Sequence, residues 1–208
     1  MDKPQAPRTR REEYADQTRQ ALLDAAREIF TAEGYQQAGI EAIAQAARVT
    51  RGAFYHHFED KRALFEALVI SLQEAAADSI RLSARAEPDA NARVMAGAAA
   101  FLESCTEPAY RRLVIQEAPA VLGARRCREI GEAHPYGPLI AAVAELKKSG
   151  RFEVANAYLA ARMIGSMICE TALLLDDAES PKSLKRQALA IVAQVFDAFA
   201  TASARNVR

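Results

Sequence analysis

The chain has 208 residues, half of them hydrophobic and 26% charged, which is the composition of a folded globule and the length for one large domain or a small domain fused to a larger one. Its formal net charge is zero, which excludes a uniformly basic nucleic-acid binder and makes any contact with DNA depend on local charge. Cys105, Cys127 and Cys169 are far apart and form no CxxC pair, which excludes a disulfide framework and a zinc ribbon; no metal and no cofactor are expected.

Charge is uneven along the chain. Within residues 1–11, Lys3, Arg8, Arg10 and Arg11 face only Asp2, so this end is basic and the body slightly acidic. Residues 1–13, polar and carrying Pro4 and Pro7, read as a disordered basic arm. No apolar signal region follows the start, and no apolar stretch reaches the roughly 20 residues of a membrane span. The longest candidate, 163–175, contains Glu170. The expectation is a cytoplasmic protein with no membrane contact.

Alanine is abundant and there are only nine glycines, a balance that favours helix. A first helix is expected from near Asp16, with Leu22, Leu23, Ala26, Ile29 and Phe30 on one face and Gly34 as its C-terminal cap. A short second helix is expected over 40–47, with Gly39 at its N-cap and Ile40, Ile43, Ala44 and Ala47 at helical spacing. After a turn at Arg48-Val49, Thr50 caps a third short helix. A fourth runs from near Asp60 to about Ala84. Further helices are expected from Pro88-Asp89 through Cys105, from Pro108 to about Gly123 with a bend at Pro119, and over 124–133. The loop His134-Pro135-Tyr136-Gly137-Pro138 leads into a helix ending at Ser149-Gly150, and two long helices over 153–177 and 181–202 complete an all-α chain. Alternating strand-like stretches are absent.

Two short helices after a longer one, separated by a tight turn, have the spacing of a helix-turn-helix. The second must enter a major groove about 12 Å wide, so the first must pack close behind it. Ala44 and Ala47 supply the small contact residues, and Val49 plugs the turn. Phe54 and Phe58, four apart, point the third helix inward, leaving Arg51, Gly52, Ala53, Tyr55 and His56 outward. Arg51 can make a bidentate contact to guanine, and Gly52 and Ala53 allow close approach to base edges. Tyr55, His56 and His57 offer phosphate donors, and Lys61 adds a point charge. His56 and His57 are neighbours in a helix and project about 100° apart, so they do not chelate one ion.

The run Gly34-Tyr35, Ile40-Glu41-Ala42-Ile43-Ala44, Val49-Thr50-Arg51-Gly52-Ala53-Phe54-Tyr55-His56-His57-Phe58 and Asp60-Lys61-Arg62-Ala63-Leu64-Phe65 closely resembles the tetracycline-repressor (TetR/AcrR) family. The resemblance covers about residues 16–68. It implies a three-helix DNA-binding domain (14–60 here) followed by a helical ligand-binding and dimerisation domain (61–208). It further implies a homodimeric regulator, usually a repressor, that a small molecule releases from palindromic operator DNA. By position, Thr50, Arg51, Gly52, Ala53, Tyr55, His56, His57 and Lys61 match the family's DNA-contacting residues. One departure stands out: members often place Thr or Ser at the cap of the second helix, where this chain has Ala38-Gly39. The amides of Gly39 and Ile40 can still donate to a phosphate, without the side-chain contact.

Affinity from so small a reader demands two copies on half-sites roughly 34–36 Å apart. Ile164, Ile168 and Leu175, with Leu184, Ala188, Ile191 and Val195, make apolar stripes on the last two helices that face either a second copy or the chain's own core. Met95, Phe101, Tyr110, Met163 and Met167 are candidate apolar walls of a pocket, with Cys105, Glu117, His134 and Tyr136 as polar members; they suit an apolar or aromatic effector. The alternative for this region is a sensory domain that binds a protein partner or no ligand. An enzyme is not expected: of three histidines two lie in the reading helix, and Cys127 and His134 lack an orienting partner.

Overall fold

The computed structural model describes residues 9–87, 90–175 and 178–201. Among these there are ten α-helices, one π-helical segment and no strand beyond a single bridge between Phe152 and Ala200. Two units divide at Leu68/Val69, inside the fourth helix, eight residues beyond the start of the second domain expected from sequence.

The first unit holds α1 (Arg10–Glu33), α2 (Ile40–Ala46), α3 (Arg51–His57) and the opening of α4 (Lys61–Arg85). α1 starts six residues earlier than expected, so residues 10–13 are helix and not arm; Lys3 and Arg8 lie outside the described residues. The cause is a capping box. Thr9 Oγ1 accepts from the Glu12 N–H at 3.3 Å, and the Thr9 N–H donates to Glu12 Oε2 at 2.7 Å. Residues 10–14 lack an apolar face, so hydrophobic periodicity could not report this first turn. At the other end Gly34 has φ +87°, and its N–H donates to the Phe30 carbonyl at 2.9 Å. Leu22, Ala26 and Phe30 are buried, and Phe30, Tyr35 and Phe65 form a mutual cluster with ring centroids 5.0–5.7 Å apart. Edge-to-face pairs of this kind add about 0.5–1.5 kcal/mol each beyond their burial.

The second unit contains the rest of α4, then α5 (Ala90–Thr106), the π-helical Tyr110–Glu117, α6 (Ala118–Leu122), α7 (Ala124–Ala133), α8 (Tyr136–Lys148), α9 (Ala157–Leu174) and α10 (Pro181–Phe199). Pro88-Asp89, expected to open α5, and Asp177 lie outside the described residues. Where a bent α-helix was expected before Gly123, the backbone widens instead. The Ala118 N–H donates to the Leu113 carbonyl in the i→i+5 pattern, just before Pro119, which has no N–H to give. α8 begins at Tyr136, so the expected loop is two residues long, and Pro138 sits in the first helical turn, where its missing N–H costs nothing.

α9 begins at Ala157, not near 153, because Asn156 Oδ1 caps the Leu159 N–H at 3.0 Å. The preceding residues are occupied otherwise: the Glu153 N–H donates to the Phe199 carbonyl at 2.8 Å, and Phe152 is buried against Phe196. α9 packs on α5, α8 and α10. It is long and apolar enough to cross a membrane by length and composition, but Ala161, Ile164, Gly165, Ile168 and Ala172 are buried inside the protein, as in a core helix.

Candidate nucleic-acid interface and effector cavity

In the first unit, the turn after α2 is closed by the Ala44 carbonyl, which accepts the Val49 N–H at 2.9 Å. The chain reverses at Arg48, which has φ +57°. A β-carbon is disfavoured in that region by roughly 1–2 kcal/mol. Thr50 Oγ1 then accepts the Ala53 N–H at 3.1 Å and starts α3. Phe54 and Phe58 are buried beneath it, their rings 5.9 Å apart, and the guanidinium of Arg19 lies over Phe58.

The opposite face of α3 presents Arg51, Gly52, Tyr55 and His56 to solvent, with Ala53 and His57 half-buried at its edges. Arg51 is held from two sides. Its Nη1 is 2.5 Å from Glu41 Oε1 of α2, and its Nη2 donates to Tyr55 Oη at 3.5 Å. The Tyr55 hydroxyl first, and then the Glu41 carboxylate, push the Arg51 pKa up, so the cation is permanent. A β-carbon on Gly52 would meet only Thr50 Oγ1, at 3.7 Å. The fold therefore has room for a side chain there, and the free space lies on the outward side. Gly39 caps α2 in extended conformation with no side-chain bond, and a β-carbon there would touch nothing within 4 Å.

Lys61 takes a different place from the one its charge suggests. Its Nζ donates to the carbonyls of Tyr35 (2.8 Å), Ala38 (2.9 Å) and Gln36 (3.3 Å) and sits 4.6 Å from the Tyr35 ring centroid. All three ammonium donors clamp the loop between α1 and α2.

The second unit contains a cavity of about 140 Å³. α4 (Ile80, Ala84), α5 (Val94, Ala98, Phe101), α8 (Leu139, Ala142) and α9 (Ile164, Ile168) wall it, and Arg93 supplies the one charge in the lining. Of the nine pocket residues expected from sequence only Phe101 lines this space. Tyr110 is buried behind it, with its hydroxyl donating to Gln73 Oε1 at 2.9 Å. Tyr136 stacks edge-on to Phe101 at 5.6 Å, lies 4.3 Å under the Arg162 guanidinium, and pairs its hydroxyl with Cys169 Sγ at 3.3 Å. Cys105 is fully buried near Cys169, and burial pushes the Cys105 thiol up. Glu117 pairs with Arg112, His134 lies in a separate surface depression with Asp78, and Met95 is half-buried outside the cavity.

Met163 and Met167 line an open groove between α9 and α10, with Leu159, Leu174, Leu184, Ala188 and Ile191. Leu159, Met163, Leu174 and Ile191 are 53%, 61%, 53% and 50% exposed. Ile164, Ile168 and Leu175, expected at an interface, are 1%, 2% and 8% exposed and belong to the chain's own core. Val195 is half-buried and lies outside the groove. Along α9 the expected pocket and interface residues have thus exchanged faces.

The sequence profile of the bacterial regulatory proteins of the tetR family matches residues 22–68, and that of the tetracyclin repressor-like C-terminal domain matches residues 91–199 of 208. The chain belongs to the TetR family. Its members are DNA-binding transcriptional regulators and not enzymes. The HTH-type transcriptional regulator UidR of Escherichia coli K12 is 42% identical over 62 residues, 30% of this chain and 32% of UidR. SrpR of Pseudomonas putida is 46% identical over 59 residues, 28% of each chain. The chain thus matches about a third or less of these relatives' own lengths. A TetR-family regulator from Pectobacterium atrosepticum superposes with a TM-score of 0.70 at 26% identity, covering 93% of this chain and 98% of that one. FadR of Bacillus subtilis in complex with stearoyl-CoA (TM-score 0.72, 19% identity, 84% and 97% coverage) and RolR in complex with resorcinol (0.67, 16%, 94% and 93%) share the fold.

Against the TetR frame, the residues that sequence reasoning missed are Glu41, the arginines beside the cavity, and Leu159 and Leu174. Glu41 precedes Arg51 by ten positions, so their pairing exists only once the turn is made. Leu159 and Leu174 continue the Met163 phase of α9 and were hidden by the equally apolar Ile164 phase.

Proposed function

We propose that this TetR-family protein is a homodimeric repressor that holds a two-fold symmetric operator with α3 and lets go when a small apolar or aromatic molecule fills the α4–α5–α8–α9 cavity. The observation that carries the DNA part is the outward face of α3: a fixed guanidinium at Arg51 beside an uncrowded Gly52, on a helix whose other side is buried. Thr50, Gly52, Ala53, Tyr55, His56, His57 and the Gly39 amide complete the proposed contact surface. Lys61 supports that surface through the α1–α2 loop; reaching a phosphate would cost it a carbonyl partner.

Dimerisation rests on the exposed apolar groove of α9 and α10. Leu159, Met163, Leu174 and Ile191 form a face that two copies can bury against each other about a two-fold axis, with Leu184 and Ala188 between them. Release rests on α4, which carries the cavity walls Ile80 and Ala84 and, at its start, the packed Leu64 and Phe65. A ligand that prefers one position of this helix shifts the population of DNA-competent molecules. The relatives RolR and FadR, solved with resorcinol and stearoyl-CoA, support a small-molecule effector.

Selection from random duplexes at moderate salt tests the reading. It is expected to return a palindrome, with Arg51→Ala relaxing the preference at one base position in each half-site. Recovery of no sequence preference would overturn it.

A further inference from the structure

Apart from Arg93 the cavity is lined by apolar residues, yet the depression beside it is basic. A second depression of about 370 Å³ shares Ile80, Ala84, Arg93 and Pro138 with it and adds Arg81 and Arg85. Three guanidinium groups therefore line a depression that shares a wall with a space otherwise lined by hydrocarbon. Arg81 is paired with Asp78 one turn earlier on α4. Arg85, on the last turn of α4, lines the depression, and Arg93, on the first turns of α5, lines both it and the cavity. Arg93 Nε donates to the Glu87 carbonyl at 2.8 Å, which fixes the plane of its guanidinium beside the cavity.

Size and charge narrow what fits. A dry apolar cavity of about 150 Å³ accepts one benzene ring, and this one measures about 140 Å³. Hydrocarbon walls reward burial of a ring or short branched chain but do not orient it. Orientation must come from the rim, where planar guanidinium groups match a carboxylate in two-pronged geometry and a cation is repelled. Building on the effector reading above, we propose that the ligand is an organic acid of single-ring or short-chain size, its apolar body in the cavity and its carboxylate held by Arg85 and Arg93.

Calorimetry of the full chain with three matched probes tests this: phenylacetate, neutral 2-phenylethanol and cationic 2-phenylethylamine. Phenylacetate is expected to bind at least about tenfold more tightly than the alcohol, and the amine more weakly than either. Arg93→Gln and Arg85→Gln, both at exposed positions, should reduce the acid to the level of the alcohol. Ala98→Leu, which fills the cavity, should remove binding of both. Equal affinity for acid and alcohol, unmoved by the arginine variants, would overturn the anion assignment and leave the cavity as effector site. Absence of binding by all three probes would overturn the cavity itself.

Discussion

In the proposed DNA contact, Arg51 starts from a pose shared with Glu41 behind it and Tyr55 beside it. Such preorganisation matters because a bidentate contact to guanine needs the guanidinium in one plane, and each good pair discriminates by about 1–3 kcal/mol. Two neighbouring positions are left improvable by the same physics. Gly39 caps α2 without a side-chain acceptor, in open space. Gly39→Ser should raise stability by a few tenths of a kcal/mol, read as a higher urea midpoint, and should tighten operator binding through the added hydroxyl, read by fluorescence anisotropy. Arg48 adopts φ +57° without being glycine. Arg48→Gly removes a conformational cost of roughly 1–2 kcal/mol, against a glycine entropy loss of about 0.5–1 kcal/mol. A net gain of about 0–1.5 kcal/mol in urea unfolding is expected; a loss would mean the left-handed turn is not strained. Only one of these features was visible in the sequence. Gly39 was recognised as a bare cap, whereas a positive φ at an arginine leaves no trace in composition.

At the scale of elements, the helix-turn-helix was legible because its signals are local: caps, small contacts and buried phenylalanines sit within a few residues of each other. α9 was not, because it carries two apolar stripes, and the polar Arg162, Ser166 and Glu170 that mark its outer side stand among the methionines and leucines of one of them. What decides the matter is a long-range contact. Gly165 has no side chain where the Tyr136 ring crosses α9, and a β-carbon there would fall on the ring. Tyr136 is held by Phe101, Arg162 and Cys169, so it cannot easily step aside. That seats the Ile164–Gly165–Ile168 side of α9 inward and turns Met163 outward. Gly165→Ala is expected to cost about 1–3 kcal/mol by overpacking. Gly39→Ala, in open space, should cost far less. Chemical denaturation of the two variants checks this; equal stability would show that the Tyr136 contact does not set the register. The early start of α1 was also within reach, since Thr9-x-x-Glu12 is a capping-box pattern that outweighs the missing apolar face.

For the whole molecule, a formal charge of zero means that DNA binding cannot come from bulk electrostatics. It must come from the few cations and donors of one small unit, which the proposed second copy would double. The exposed face of α9 and α10 is where that doubling is proposed. Met163→Glu, at a position 61% exposed in the single chain, should leave the fold intact and place like charges across the two-fold axis. Sedimentation is then expected to report one chain for the variant and two for the unaltered protein. The most direct test of the account is a titration of the unaltered protein against duplexes carrying the complete selected palindrome or one half of it, at several salt concentrations. The account predicts binding to the palindrome at least about 100-fold tighter than to the half-site, weakening steeply as salt rises. Equal affinity for palindrome, half-site and unrelated duplex would contradict it.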